Sequence, residues 1–133
     1  LLSDFELKQK GYTYTANTLS ELTQLYPNDT FYFIIGGDSL MKFLSWRSPD
    51  AILKNAVLLA AGRHGFSEEE LQAQAEFLQN TYNARVYFVE MEEVAISSHE
   101  IRAYCKQGQY EKISEYLPET VFNYIREQKL FLT

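Results

Sequence analysis

Phe31-Tyr32-Phe33-Ile34-Ile35-Gly36-Gly37-Asp38 decides the fold: an apolar run passes directly into a double glycine and an acid. Such a run, without polar alternation, suits a strand buried on both faces of a parallel sheet. Two further runs share its character, Val57-Leu58-Leu59-Ala60-Ala61 and Val86-Tyr87-Phe88-Val89. Helical patterns lie between them, as the crossovers of parallel strands require. The fold class is therefore α/β, a doubly wound, Rossmann-like parallel sheet with flanking helices.

Outward from these strands, helix signals recur. A first helix is expected from near Asn17, with Leu19, Leu22 and Leu25 or Tyr26 on one face, stopping before Pro27. Ser48-Pro49-Asp50 offers a capping serine, a proline at the first helical position and an acid in the first turn. Ser67-Glu68-Glu69-Glu70 has capping-box spacing and opens a helix to about Asn80. Ser97 and Glu100 repeat that spacing, for a helix starting at Ser97 or Ser98, turning Ile101 and Cys105 inward and ending near Gly108. A last helix is expected from Pro118, burying Val121, Phe122 or Tyr124, and Ile125.

Three strands are few for an open α/β sheet, which commonly has about five or six. The sheet is therefore read as incomplete, one half of a larger one. The sequence opens on Leu1 without a methionine, which reads as a processed chain or a piece of something longer. The aromatic content of 15% fits either an aromatic-rich core or apolar surface intended for an absent half.

Composition narrows the partners. The net charge is −6, so a nucleic-acid backbone is not expected as a partner. No apolar run approaches the ~20 residues that span a bilayer. A lone cysteine, Cys105, excludes an internal disulfide and fits a cytoplasmic setting.

Candidate chemistry gathers at predicted strand ends and helix starts. Gly36 and Gly37 permit close backbone approach at the carboxyl end of the first strand. Asp38 would accept ribose hydroxyls there, hold a hydrated metal, or simply cap the next helix. Trp46, the single tryptophan, offers an indole for stacking on an electron-poor ring, or packs at the core rim. Gly11 to Leu19 sets hydroxyls before a helix, as a donor cluster or as ordinary turn chemistry. Arg63 follows the second strand. Ile96-Ser97-Ser98-His99-Glu100-Ile101-Arg102 joins a capped helix start to an arginine in its first two turns. The N–H groups and the guanidinium can serve one phosphate, or the segment is a capped helix with a solvated arginine. In a parallel sheet the strand ends share one side, so Gly36, Asp38, Arg63 and the Ser97 helix are expected to converge. Neither a P-loop nor Gly-x-Gly-x-x-Gly nor Gly-x-Ser-x-Gly is present, and His64 and His99 lack metal-pair spacing.

Tyr14-Thr15-Ala16-Asn17-Thr18-Leu19, Phe33 through Leu40, Trp46, Arg63 and Ile96 through Arg102 occur in an order that resembles bacterial nicotinate-nucleotide adenylyltransferases, of the nucleotidylyltransferase α/β-phosphodiesterase superfamily. The stretch from Tyr116-Leu117-Pro118-Glu119 to Leu130-Phe131 is similar to the family's closing helix. Residues 1–133 would then be the C-terminal portion, about the later two-thirds, of a nucleotidylyltransferase domain. The resemblance implies transfer of AMP from ATP to nicotinate mononucleotide, giving nicotinate adenine dinucleotide and pyrophosphate with Mg²⁺. It assigns Thr15, Trp46 and Arg63 to the nicotinate nucleotide. Gly36, Gly37 and Asp38 go to the adenosine ribose, and Ile96, Ser97, Ser98 and Arg102 to the ATP phosphates. Asn17 stands where the family usually has aspartate. The family's first-strand Gly-x-Phe-x-Pro-x-His-x-Gly-His segment is not in these residues, so the resemblance gives them no catalytic histidine, only Arg102 in support, and little or no turnover alone. A pantetheine-phosphate adenylyltransferase-like enzyme, a non-catalytic nucleotide-binding module and a structural domain are the alternatives. Self-association through an exposed half-sheet is also expected.

Overall fold

The computed structural model describes residues 2–62, 65–91, 94 and 96–132. Two compact units divide the chain, Leu1–Met91 and Glu92–Thr133.

In the first unit, β1 (Phe31–Gly36), β2 (Ala56–Ala61) and β3 (Val86–Val89) form a parallel sheet in the order β1-β2-β3. The register pairs Phe31 with Ala56 and Leu58 with Val86, so the three predicted strands fall where the apolar runs are. The helices are α1 (Thr15–Leu25), α2 (Gly37–Met41), α3 (Pro49–Asn55) and α4 (Glu68–Tyr82).

All four helices contribute to one core, on one face of the sheet. Ile35, Ala56, Leu58, Ala60 and Val86 share that face and bury themselves with Leu19, Leu40, Ile52 and Leu71. The opposite face carries Tyr32, Ile34, Leu59 and Tyr87, since paired residues in a parallel ladder point the same way. Tyr32, Ile34 and Tyr87 are 61%, 71% and 59% exposed. Burial on both faces thus holds for β2 and fails for β1 and β3. Each of these is an edge strand of the described sheet, and in β1 the exposed Tyr32 and Ile34 alternate with the partly buried Phe31 and Phe33 and the buried Ile35.

α1 begins at Thr15, two residues earlier than the asparagine signal predicted, because Tyr14 takes the N-cap position with its backbone alone. α1 packs on α3, where the Asn55 amide donates to Ser20 Oγ at 3.3 Å and to the Ala51 carbonyl at 2.8 Å. Ser48 occupies the N-cap of α3 but makes no side-chain cap bond. Its φ of 50° is left-handed, whereas a capping hydroxyl needs extended backbone to reach the first-turn N–H groups. α4 has the full capping box: Ser67 Oγ accepts from Glu70 N at 3.2 Å and Glu70 Oε2 from Ser67 N at 2.8 Å. It buries Leu71, Ala75 and Leu78 and ends on Asn83 at φ 53°.

The second unit holds α5 (Ser98–Lys106) and α6 (Glu119–Glu127), with short 3₁₀ turns at Tyr110–Lys112 and Ser114–Tyr116. Cys105, Ile113 and Ile125 form its core, with Ile101, Tyr104 and Phe122 packed around them. α6 departs from expectation at Val121, which lies exposed, while of the two aromatic candidates Phe122 joins Ile125 on the inward face and Tyr124 is exposed. Among the described residues no helix is long and apolar enough to cross a membrane.

Candidate functional site

At the carboxyl end of β1 the chain turns straight from strand into α2. Gly36 is the N-cap and Asp38 lies in the first turn, with no side-chain cap bond. Its carboxylate is exposed. Gly37 is buried, and its missing side chain serves packing. A Cβ there would stand 3.1 Å from Leu71 Cδ2 and 3.6 Å from the Ala61 carbonyl oxygen.

Trp46 follows a 3₁₀ turn (Phe43–Ser45) and is half-buried. Phe33 of β1 meets the indole edge-on, with centroids 6.1 Å apart and planes at 75°. Phe43 lies 5.5 Å away at 34°, and is itself fully buried. The indole therefore packs at the core rim against two phenylalanines while remaining partly exposed. Thr15, half-buried, opens α1. The two segments meet through Arg47, whose guanidinium lies 4.5 Å over the Tyr14 ring. Arg63 lies outside the described residues.

A cleft of about 420 Å³ opens at the carboxyl ends of β2 and β3, lined by Gly62, Glu68, Leu71, Phe88, Val89 and Met91 among others. The sequence reading missed it. Only the position of Phe88 and Val89 at the end of their strand signalled it, and an apolar strand ending looks the same with or without a cleft.

In the second unit, Ser97 is the N-cap of α5 as its spacing predicted. Ser97 Oγ accepts from Glu100 N at 3.2 Å and donates to Glu100 Oε2 at 2.7 Å. The same carboxylate oxygen accepts from Ser97 N at 2.8 Å. These bonds, the hydroxyl first, hold the Glu100 carboxyl below the usual carboxylate range. Two end donors are thus used internally, and the N–H groups of Ser98 and His99 lack intrahelical acceptors at this end. Ser97, Ser98 and Arg102 are exposed, and Ile96 is packed against the unit's core. Arg102 forms no ion pair among the described residues. This end can accept an anion, with Glu100 as a standing competitor.

The fold is that of the Rossmann-like α/β proteins: parallel strands with a glycine-acid turn at the carboxyl end of one. Within that class, this chain is similar in sequence to nicotinate-nucleotide adenylyltransferases. It is 37% identical over 131 residues to a probable nicotinate-nucleotide adenylyltransferase of Lachnoclostridium phytofermentans, covering 98% of this chain and 64% of that one. The corresponding protein of Carboxydothermus hydrogenoformans is 36% identical over 132 residues, with the same coverage. The chain thus spans slightly less than two-thirds of the length of these curated relatives. The fold also matches Plasmodium falciparum nicotinic acid mononucleotide adenylyltransferase complexed with NaAD, with TM-score 0.71 and 22% identity over 92% of this chain and 58% of that one. No family profile matches the chain.

Proposed function

We propose that residues 1–133 are the substrate-binding portion of a nucleotidylyltransferase domain that transfers AMP from ATP to nicotinate mononucleotide. A phosphate oxygen of the mononucleotide attacks the α-phosphorus of ATP, the bond to the bridging oxygen breaks, and pyrophosphate leaves. Such a transfer asks a protein for positioning and charge stabilisation, with no covalent intermediate. The observation that carries this reading is the half-exposed Trp46, packed on Phe43 and on Phe33 of β1, the strand that leads into Asp38. The names of the relatives support the same reaction.

In this reading Trp46 stacks on the pyridine ring and Thr15 and Arg63 serve the nicotinate nucleotide. Gly36, Gly37 and Asp38 form the ribose end, with Gly37 acting through its packing. Ile96, Ser97, Ser98 and Arg102 hold the triphosphate. Among the described residues no three His, Cys, Asp or Glu side chains converge as a metal site. A Mg²⁺ ion would enter with the nucleotide, keep several waters and bind chiefly through phosphate oxygens, where it would neutralise charge. A second copy of the chain covers the open face at Tyr32, Ile34 and Tyr87, and the setting is cytoplasmic, where Cys105 stays a thiol.

Calorimetric titration tests the binding half of this proposal. ATP and nicotinate mononucleotide should each bind with micromolar dissociation constants. Arg102→Ala should weaken ATP, and Trp46→Ala the mononucleotide, by about tenfold or more. Absence of binding at millimolar ligand overturns the proposal.

A further inference from the structure

The amino ends of β2 and β3 hold another cavity, of about 650 Å³, lined by Asp50, Leu53, Lys54, Tyr82, Ala84 and Arg85 among others. Lys54 and Arg85 stand just before these two strands, whereas Gly36 and Asp38 mark the carboxyl end of β1. A strand's length, about 20 Å for the residues of β2, separates the cavity from that end of the sheet.

The two walls differ in chemistry. On α3, Asp50 and Lys54 lie one helical turn apart and share a face. Opposite stands the carboxyl end of α4, whose last carbonyls find no N–H within the helix. The N–H groups of Asn83 and Ala84 both turn back to the Leu78 carbonyl, so they leave the later ones open. Tyr82 is 39% exposed, and Phe77 holds its ring in a T-shaped contact with centroids 6.3 Å apart. Leu53 and Ala84 are buried and make an apolar floor. The Arg85 carbonyl accepts from Leu58 N at 2.8 Å, which fixes the chain that carries the guanidinium. Asp50, Lys54 and Arg85 form no ion pair among the described residues.

Cations alone would take any anion, and acceptors alone any cation. Both in one cavity, beside a fixed aromatic ring, suit a ligand that joins a planar ring, an amine donor and an anionic group. We propose that this cavity binds a nucleoside monophosphate whose base carries an amine, at a site separate from the one at the carboxyl ends of the strands. The base stacks on Tyr82, its amine donates to Asp50, and the phosphate accepts from Lys54 and Arg85. The proposal does not depend on the reading of Trp46.

The test follows backbone amide shifts of the isotope-labelled 133-residue chain by NMR as AMP is added. It compares wild type, the double variant Lys54→Gln/Arg85→Gln, and Tyr82→Leu. These side chains are exposed, and circular dichroism checks that each variant keeps the fold. In wild type the amides of Lys54, Ala84 and Arg85 should shift saturably at submillimolar AMP. Read at Ala84, the double variant should weaken binding by about tenfold or more and Tyr82→Leu by about fivefold, the scales of charge-assisted pairs and of base stacking. Any response at Gly36 to Asp38 should match wild type in both. Shifts confined to Gly36 to Asp38, or none at Lys54 and Arg85 up to millimolar AMP, overturn the proposal. So does a double variant that binds like wild type. Inorganic phosphate that binds there as tightly as AMP also overturns it, because the ring would then contribute nothing.

Discussion

Gly37 and Leu71 approach so closely that a Cβ on Gly37 would meet Leu71 Cδ2 at 3.1 Å. This contact seats α2 on α4 and so fixes where the Asp38 turn leaves β1. A leucine terminus can give way by a few tenths of an ångström, and alanine gains up to about 1 kcal/mol over glycine in a helix. Gly37→Ala should therefore be near neutral in urea denaturation, whereas Gly37→Val should cost about 1–3 kcal/mol through overpacking. In a Leu71→Ala background the valine penalty should shrink, as a double-mutant cycle would read.

Phe43 is fully buried and packs on Trp46. Phe43→Ala should cost about 3–5 kcal/mol in stability. It should also shift the emission of the single tryptophan to the red, because the indole loses one of its two aromatic supports. Urea titration monitored by fluorescence reads both effects.

Glu100 sets a pH dependence. Its carboxyl is held low by the Ser97 hydroxyl and backbone N–H, so its folded pKa lies below its unfolded one. The stabilisation of α5 is then complete above an unfolded value of about 4.3. It is lost as pH falls through the folded value. Helicity followed by circular dichroism should show that acid loss in wild type, and Glu100→Gln, which keeps the capping geometry without a titrating group, should reduce it. The same variant should bind ATP about two- to fivefold tighter, since one negative charge leaves a helix N-terminus.

The open sheet face predicts self-association. Ile34 is 71% exposed on edge strand β1. Ile34→Lys should shift the chain toward monomer in multi-angle light scattering, because a lysine on an edge strand opposes pairing with another chain. An unchanged mass distribution would remove that face from the interface.

The strands and most helix starts were legible because their signals are local. Phe31 to Gly36 declares itself by an unbroken apolar run, and Ser67 and Ser97 by the acid three residues later. What escaped depends on neighbours distant in sequence. Tyr32 and Ile34 read as buried, yet their burial depends on whether anything covers that face. Ser48 carries a capping side chain but sits in a left-handed conformation that keeps its hydroxyl from the cap. Gly37 reads as room for close backbone approach, and its packing against Leu71 shows only in the fold. The Arg47–Tyr14 contact joins residues 33 positions apart, which no periodicity reveals.

The central claim is that Trp46 is a stacking platform for a pyridine nucleotide, and its emission can be read directly because the chain has no other tryptophan. Titrating the chain with nicotinate mononucleotide should quench that emission saturably at micromolar ligand, with the same dissociation constant by calorimetry. Emission that stays flat to millimolar ligand would contradict the account.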